Sequence, residues 1–285
     1  MGSWRALGVR RATAQSALDE GLGLLDGLRQ PTCVWWQVEQ PALVLSRGSR
    51  VQADESACRA AGVEVVRRGS GGGPVLWTDA LVALDVAVPR EHRLWSADVV
   101  ATYRWLGEML AAALRALGVN DATALAPEAA RSLNDPTLAA MACYAGVSPW
   151  EVLVDGRKLV GLSQVRRAAG VLLQVGVLGG REGDLADLLD LTPPERSRVR
   201  QALAERTTGL SELGVTPETL MDATTGAGGS SSASVSSGSA SRAWLVGCSC
   251  AGSSSVSSSS ASPSWAAWSW AACAARLVGA GSSRA

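Results

Sequence analysis

An Asp-Gly step between two apolar runs constrains this chain more than any other feature. Glu151-Val152-Leu153-Val154 precedes Asp155-Gly156, and Arg157-Lys158-Leu159-Val160-Gly161 follows. A type I′ turn needs positive φ at both central residues, which Asp and Gly tolerate, and its twist suits two antiparallel strands. The segment therefore predicts a β-hairpin with Lys158 at the start of the return strand. An antiparallel pair in mid-chain disfavours a doubly wound parallel sheet.

Strand and helix periodicities alternate around this hairpin. Residues 33–38, 42–45, 63–66, 81–88 and 171–178 read as strands, and 14–28 as a helix. Asp54 can cap a helix that ends near Gly62. Ser96 or Asp98 opens the longest helix, whose apolar face includes Trp105, Leu106, Met109, Leu110 and Leu114, and Gly118 ends it. A short strand and a Pro-broken linker follow, and 182–223 reads as helices broken at Pro193-Pro194. The expected fold class is α/β (α+β), a mixed β-sheet packed by helices.

Several function classes are disfavoured. Net charge is zero, so nothing points to nucleic acid or a charged membrane surface. No apolar run long enough to span a bilayer precedes the tail, and no signal peptide pattern opens the chain. A cytoplasmic compartment is expected. The six cysteines show neither CxxC nor zinc-ligand spacing, so no metal is expected. The lone histidine, His92, lies in a polar Arg90-Glu91-His92-Arg93 loop, which argues against a histidine triad. Chemistry is left to Lys, Cys, Asp, Glu, Arg and backbone groups.

Three segments can carry it. In Arg67-Arg68-Gly69-Ser70-Gly71-Gly72-Gly73-Pro74, glycines let the backbone approach a ligand, and its N–H groups can hold a carboxylate or phosphate. The pattern is neither GxGxxG nor GxxxxGK[ST], and a plain flexible turn would read the same way. Cys143 could take an acyl group as a thioester, or could be a buried structural thiol. Lys158 is the only lysine; every other basic residue of the Lys/Arg class is arginine. A compact ammonium can bond an acyl carbonyl and stabilise a developing oxyanion, with Gly161, Ser163 and Gln164 nearby. Rarity alone fits a leftover surface lysine equally well.

Together these segments resemble one family. Arg67 to Gly73 looks like the RRxSGGG loop of the lipoate–protein ligase and octanoyltransferase family, and Gly156 to Gln164 looks like its GRKxxGxxQ strand. Cys143-Tyr144-Ala145-Gly146-Val147-Ser148-Pro149-Trp150-Glu151 is similar to the CFxxxSxxE stretch of its cysteine-dependent octanoyltransferases. The resemblance implies the catalytic fold shared with biotin–protein ligases and attachment of octanoyl or lipoyl groups to a lysine of a lipoyl-domain protein. It implies Cys143 as acyl carrier and Lys158 as the group that binds the acyl carbonyl. Arg67, Arg68, Ser70, Gly71, Gly72, Gly73, Gly161 and Gln164 would bind substrate. As a transferase the protein would need no cofactor and could take its acyl group from acyl carrier protein. As a ligase it would need ATP and Mg. Trp77 and Val175 stand where the family often has histidine, and Pro74 where it has a small residue. A non-catalytic paralogue that binds lipoate or a lipoyl domain is the alternative these departures motivate.

Residues 1–222 are expected to form the catalytic domain. Residues 223–285 form a Ser-, Ala- and Trp-rich tail without acidic residues, too poor in core formers to fold alone. GC-rich DNA read out of frame gives such a composition, so a frameshift is the expected origin; an intact frame on resequencing would exclude it.

Overall fold

The computed structural model describes residues 4–180 and 184–225. The chain begins with β1 (Arg5–Ala12), α1 (Ala14–Gly23), β2 (Thr32–Val38), β3 (Ala42–Ser46), α2 (Glu55–Ala60), β4 (Glu64–Arg68), β5 (Val75–Trp77) and β6 (Leu81–Pro89). It continues with α3 (Val99–Ala116), β7 (Thr123–Ala124), α4 (Pro127–Leu133), α5 (Pro136–Met141), β8 (Val152–Val154), β9 (Arg157–Arg167) and β10 (Gly170–Leu178). Helices α6 (Pro193–Arg206) and α7 (Pro217–Thr225) close the described part.

The seven-stranded sheet runs β1-β2-β6-β10-β9-β8-β7, and a three-stranded sheet runs β4-β3-β5. Strand β1 lies parallel to β2, and β3 parallel to β4; the other pairs are antiparallel. The sheet is mixed, as the hairpin requires. Leu81 to Val88 of β6 are all buried, which explains their unbroken apolar run. Helix α3 packs Trp105, Leu106, Met109, Leu110 and Leu114 into the same core as Trp35 and Trp36 of β2. Asp98 caps it through the N–H groups of Val100 and Ala101, and Asp54 caps α2 in the same way.

Four expectations change. The Pro-broken linker holds two helices, α4 and α5, each starting on a proline. Pro193-Pro194 likewise opens α6 instead of breaking it, behind a Thr192–Glu195 capping box. Proline is preorganised for the first helical position, where its missing N–H costs nothing. Strand β1 is absent from the sequence reading because most of its residues are exposed and three are arginine, as befits an edge strand. Helix α1 ends at Gly23, short of residue 28. The expected low-complexity tail lies, from residue 226 on, outside the described residues. No helix among the described residues is long and apolar enough to cross a membrane.

Candidate active site

The hairpin fixes Lys158. Asp155 and Gly156 have φ of 49° and 72°, the pair a type I′ turn demands. Lys158 is therefore the second residue of β9, opposite Leu153, and it also bridges to Thr207. Its side chain is 1% exposed. The ammonium lies 2.8 Å from Glu151 Oε2 and donates to the backbone oxygens of Cys143 at 3.0 Å and Gly146 at 3.1 Å. These acceptors match its three protons. It also sits 4.9 Å from the centre of the Tyr144 ring.

Glu151 is a residue that sequence reasoning missed. It is 1% exposed, and the Ser148 and Leu162 N–H groups donate to its two oxygens at 2.7 and 3.1 Å. Burial pushes its carboxyl above the usual range, while the Lys158 ammonium and the two N–H groups pull it back. Its only sequence signal was its place at the end of the Cys143 stretch.

Cys143 is half-buried and opens a single 3₁₀ turn, Cys143–Ala145, directly after α5. Its N–H donates to Pro74 O at 2.9 Å, which ties the turn to the end of the glycine loop. A Cβ on Gly73 would lie 2.3 Å from Ala139 O and 2.8 Å from Cys143 N; one on Gly72, whose φ is +101°, would lie 3.8 Å from Cys143 Sγ. Gly73 is thus needed for close approach to α5, and Gly72 for its positive φ and its approach to Arg68, 3.0 Å from such a Cβ. Arg68 is buried and donates through Nη2 to Gly71 O at 3.0 Å and Gly73 O at 2.8 Å, bracing the loop. Its Nε is buried without a partner. Ser70 is buried and accepts from Ser163 Oγ at 3.2 Å.

Tyr144 needs its own glycines. Gly161 and Gly176 are cross-strand partners on β9 and β10. The Tyr144 ring covers them, and its hydroxyl donates to Gly176 O at 2.7 Å. A Cβ on Gly176 would meet Tyr144 Oη at 2.6 Å, and one on Gly161 at 3.3 Å. Gly176→Ala is expected to destabilise the protein by about 1–3 kcal/mol through overpacking. Gly161→Ala should cost less, and urea midpoints of the two variants would check that order.

Arg68, Cys143, Tyr144, Ser163 and Gln174 line a small solvent-open cleft, with Trp77 and Val175 in its wall. Much of that wall is apolar. The two positions where the family often has histidine thus both lie in this wall. The structure brings Arg68, Ser70, Gly72, Gly73, Gly161 and Cys143 together. Lys158 lies behind the wall, on the carbonyl of Cys143. Gly71 is exposed at the loop's outer edge. Two candidates point elsewhere. Arg67 is exposed and reaches Gln52 Oε1 at 3.0 Å, because its neighbour Arg68 takes the inward side of β4. Gln164 donates to Val99 O at 2.9 Å and accepts from Arg166, tying β9 to the start of α3, while Ser163 turns toward Ser70. Among the described residues, no group of three or more His, Cys, Asp or Glu is placed to hold a metal ion.

Residues 12–227 match the family described as the lipoyl protein ligase A/B catalytic domain. Over 236 residues the chain is 31% identical to a protein of Kyrpidia tusciae named octanoyltransferase LipM, with 76% of this chain and 81% of that protein covered. A protein of the same name from Moorella thermoacetica is 32% identical, over 74% of this chain and 78% of its own length. Among solved structures, a lipoate-protein ligase A bound with ATP superposes with a TM-score of 0.59 at 18% identity, covering 78% of this chain and 81% of that one. A bipartite lipoate protein ligase from Thermoplasma acidophilum, described with its E2 lipoyl domain, gives 0.61 at 15% identity with the same coverage.

Proposed function

This chain belongs to the lipoyl protein ligase A/B catalytic-domain family, and we propose that it transfers an octanoyl or lipoyl group to a lysine of a lipoyl-domain protein through a thioester on Cys143. The observation that carries this reading is the half-buried thiol set in an apolar cleft, with a braced glycine loop on one side and a buried ammonium behind it. The relatives named octanoyltransferase support the same chemistry.

The reaction has two balanced steps. The Cys143 thiolate attacks the carbonyl of a donor thioester, on acyl carrier protein. A new C–S bond forms, the donor's C–S bond breaks, and the donor leaves as a thiol with the proton that Cys143 gave up. The neutral amine of the acceptor lysine then attacks the acyl-Cys143 carbonyl. A C–N bond forms, the C–S bond to Cys143 breaks, and the amine's proton returns the thiolate to a thiol. Neither step consumes ATP. Glycine-loop N–H groups and Arg68 would hold the polar end of the acyl group, and the apolar wall would take its chain. Lys158 would bond the acyl carbonyl by exchanging one of its backbone partners, Cys143 O or Gly146 O, for the substrate oxygen. The proposed compartment is the cytoplasm.

One observation favours a second reading. The partnerless Nε of buried Arg68 suits an anion, such as the phosphate of an acyl-adenylate, and a similar fold binds ATP. Donor choice separates the two. Octanoyl-acyl carrier protein alone is expected to acylate a lipoyl domain and to leave an octanoyl mass on Cys143. Cys143→Ala should abolish both. Turnover that requires free lipoate with ATP and Mg, and survives Cys143→Ala, would establish the ligase instead. Binding without either turnover would mark a non-catalytic paralogue.

A further inference from the structure

Net charge is zero, yet one rim of the cleft carries arginines that no ion pair balances. Strand β9 leads from the cleft to that rim. Ser163, Val165 and Arg167 share one face of the strand, since side chains alternate. The glycine loop covers the first two. Ser163 bonds Ser70, and a Cβ on Gly69 would lie 3.7 Å from Val165 Cγ2. Arg167 is the next residue on that face and is exposed. Beside it, the Arg90 N–H donates to Ala169 O at 3.0 Å, which ties the loop carrying exposed Arg90 and Arg93 to the β9–β10 turn. The Arg90 and Arg166 guanidinium groups both lie over the Trp95 ring, at 5.3 and 5.5 Å. Across the glycine loop, the Arg47 N–H donates to Arg68 O at 3.1 Å, so the turn carrying exposed Arg47 and Arg50 abuts the base of that loop.

Among the described residues, none of Arg47, Arg50, Arg90, Arg93 and Arg167 forms an ion pair. The acids nearest to them in sequence are Asp54, Glu55, Glu91 and Asp98, and of these Asp54 and Asp98 are engaged in capping α2 and α3. A small acyl thioester in the cleft cannot reach this rim. Arg167 lies about 13 Å along the strand from Ser163, at roughly 3.3 Å per residue. A protein partner can reach both sides of the loop at once. Charge of one sign around a site steers an oppositely charged partner and fixes its orientation. The acceptor brings a lysine, whose ammonium this rim repels, whereas a thioester carrier brings no cation to the thiol.

We propose that the arginine rim formed by Arg47 and Arg50 on one side and Arg90, Arg93 and Arg167 on the other docks the protein that carries the acyl donor, through an acidic face of that carrier. This rests on the acyl-thioester reading above and names the partner surface for its first step.

The test follows S-octanoylation of Cys143 by mass in the full chain, from octanoyl-acyl carrier protein and from the octanoyl thioester of a small thiol. With the carrier, the wild-type rate is expected to fall roughly tenfold as ionic strength rises from about 0.02 to about 0.5 M. Arg90→Glu with Arg167→Glu, and Arg47→Glu with Arg50→Glu, should each lower the low-salt carrier rate by roughly tenfold or more. With the small thioester both double variants should stay within about twofold of wild type, because the cleft itself is unchanged. Arg10→Glu with Arg11→Glu makes the same charge change on the edge strand β1 and should leave the carrier rate as it was. An unchanged carrier rate in either rim variant would overturn the inference, as would equal losses with both donors. A loss confined to the later transfer from Cys143 to a lipoyl domain would also overturn it, since the rim would then serve the acceptor. If neither donor marks Cys143, the thioester reading fails, and binding of acyl carrier protein by fluorescence anisotropy decides the rim separately. Equal affinity in wild type and both rim variants would overturn the docking face, and affinity weakened in both would uphold it.

Discussion

Lys158→Met is expected to destabilise the fold by about 3–5 kcal/mol and to abolish acyl transfer. The destabilisation follows from what remains. Glu151 is as buried as the lysine it bonds, so removing the ammonium leaves a carboxyl in the interior without its counter-charge. The carbonyls of Cys143 and Gly146 lose a charged donor at the same time, and the turn that carries the thiol loses its anchor. Structural and chemical losses must then be separated. Replacing both members of a buried ion pair by apolar residues removes the stranded charge and is often neutral. Lys158→Met combined with Glu151→Leu is thus expected to recover part of the stability in urea unfolding. The Ser148 and Leu162 N–H groups, deprived of their acceptor, limit that recovery. The refolded double variant is still expected to be inactive, because the ammonium proposed to bond the acyl carbonyl is gone. Recovery of transfer together with stability would show that Lys158 only holds the turn.

Local physics made part of this arrangement legible. The Asp155-Gly156 turn, the capped helix α3 and the strands β6 and β10 announce themselves by turn chemistry, caps and periodicity, which act over a few residues. Strand β1 escaped because an exposed edge has no apolar alternation to read. Helices α4 and α5 escape such a reading because proline, a breaker inside a helix, sits here at a first position. The site divides in the same way. Arg67 and Arg68 are equal as letters, and strand parity alone sends one into the cleft and the other to Gln52. The contact of the glycine loop with Cys143 joins segments far apart in the chain, so only resemblance to a family linked them beforehand. Glu151 stayed hidden because a buried carboxylate is recognised by its partners, and these come from β9 and from the turn it helps to hold. Lys158 was expected to face substrate, yet its protons lie on protein oxygens, a fact that spacing cannot carry.

Asp85→Asn is expected to make the protein markedly more stable above neutral pH. Burial raises the Asp85 carboxyl from 3.8 to about 7, against the opposing pull of the Trp36 and Gln174 donors. Below about pH 4 the group is protonated in both folded and unfolded chains and contributes nothing. Between about pH 4 and 7 the unfolded chain releases this proton and the folded chain keeps it, so stability falls as pH rises. Above about pH 7 both states are ionised and the full cost of burying the charge stands, at most roughly 4 kcal/mol. An asparagine does not titrate. Its oxygen can still accept from Trp36 Nε1, and its amide N–H can donate to Gln174 Oε1 once that amide turns over, in exchange for the bond the Gln174 N–H gave the carboxylate. Urea midpoints at about pH 5 and about pH 8 should therefore separate the two proteins modestly at the lower value and widely at the higher one, with the variant ahead. Equal separation at both values would mean that Asp85 does not change charge in that window. A variant less stable than wild type at the higher value would mean that the carboxylate has a stabilising partner which Trp36, Gln174 and Gly21 do not provide.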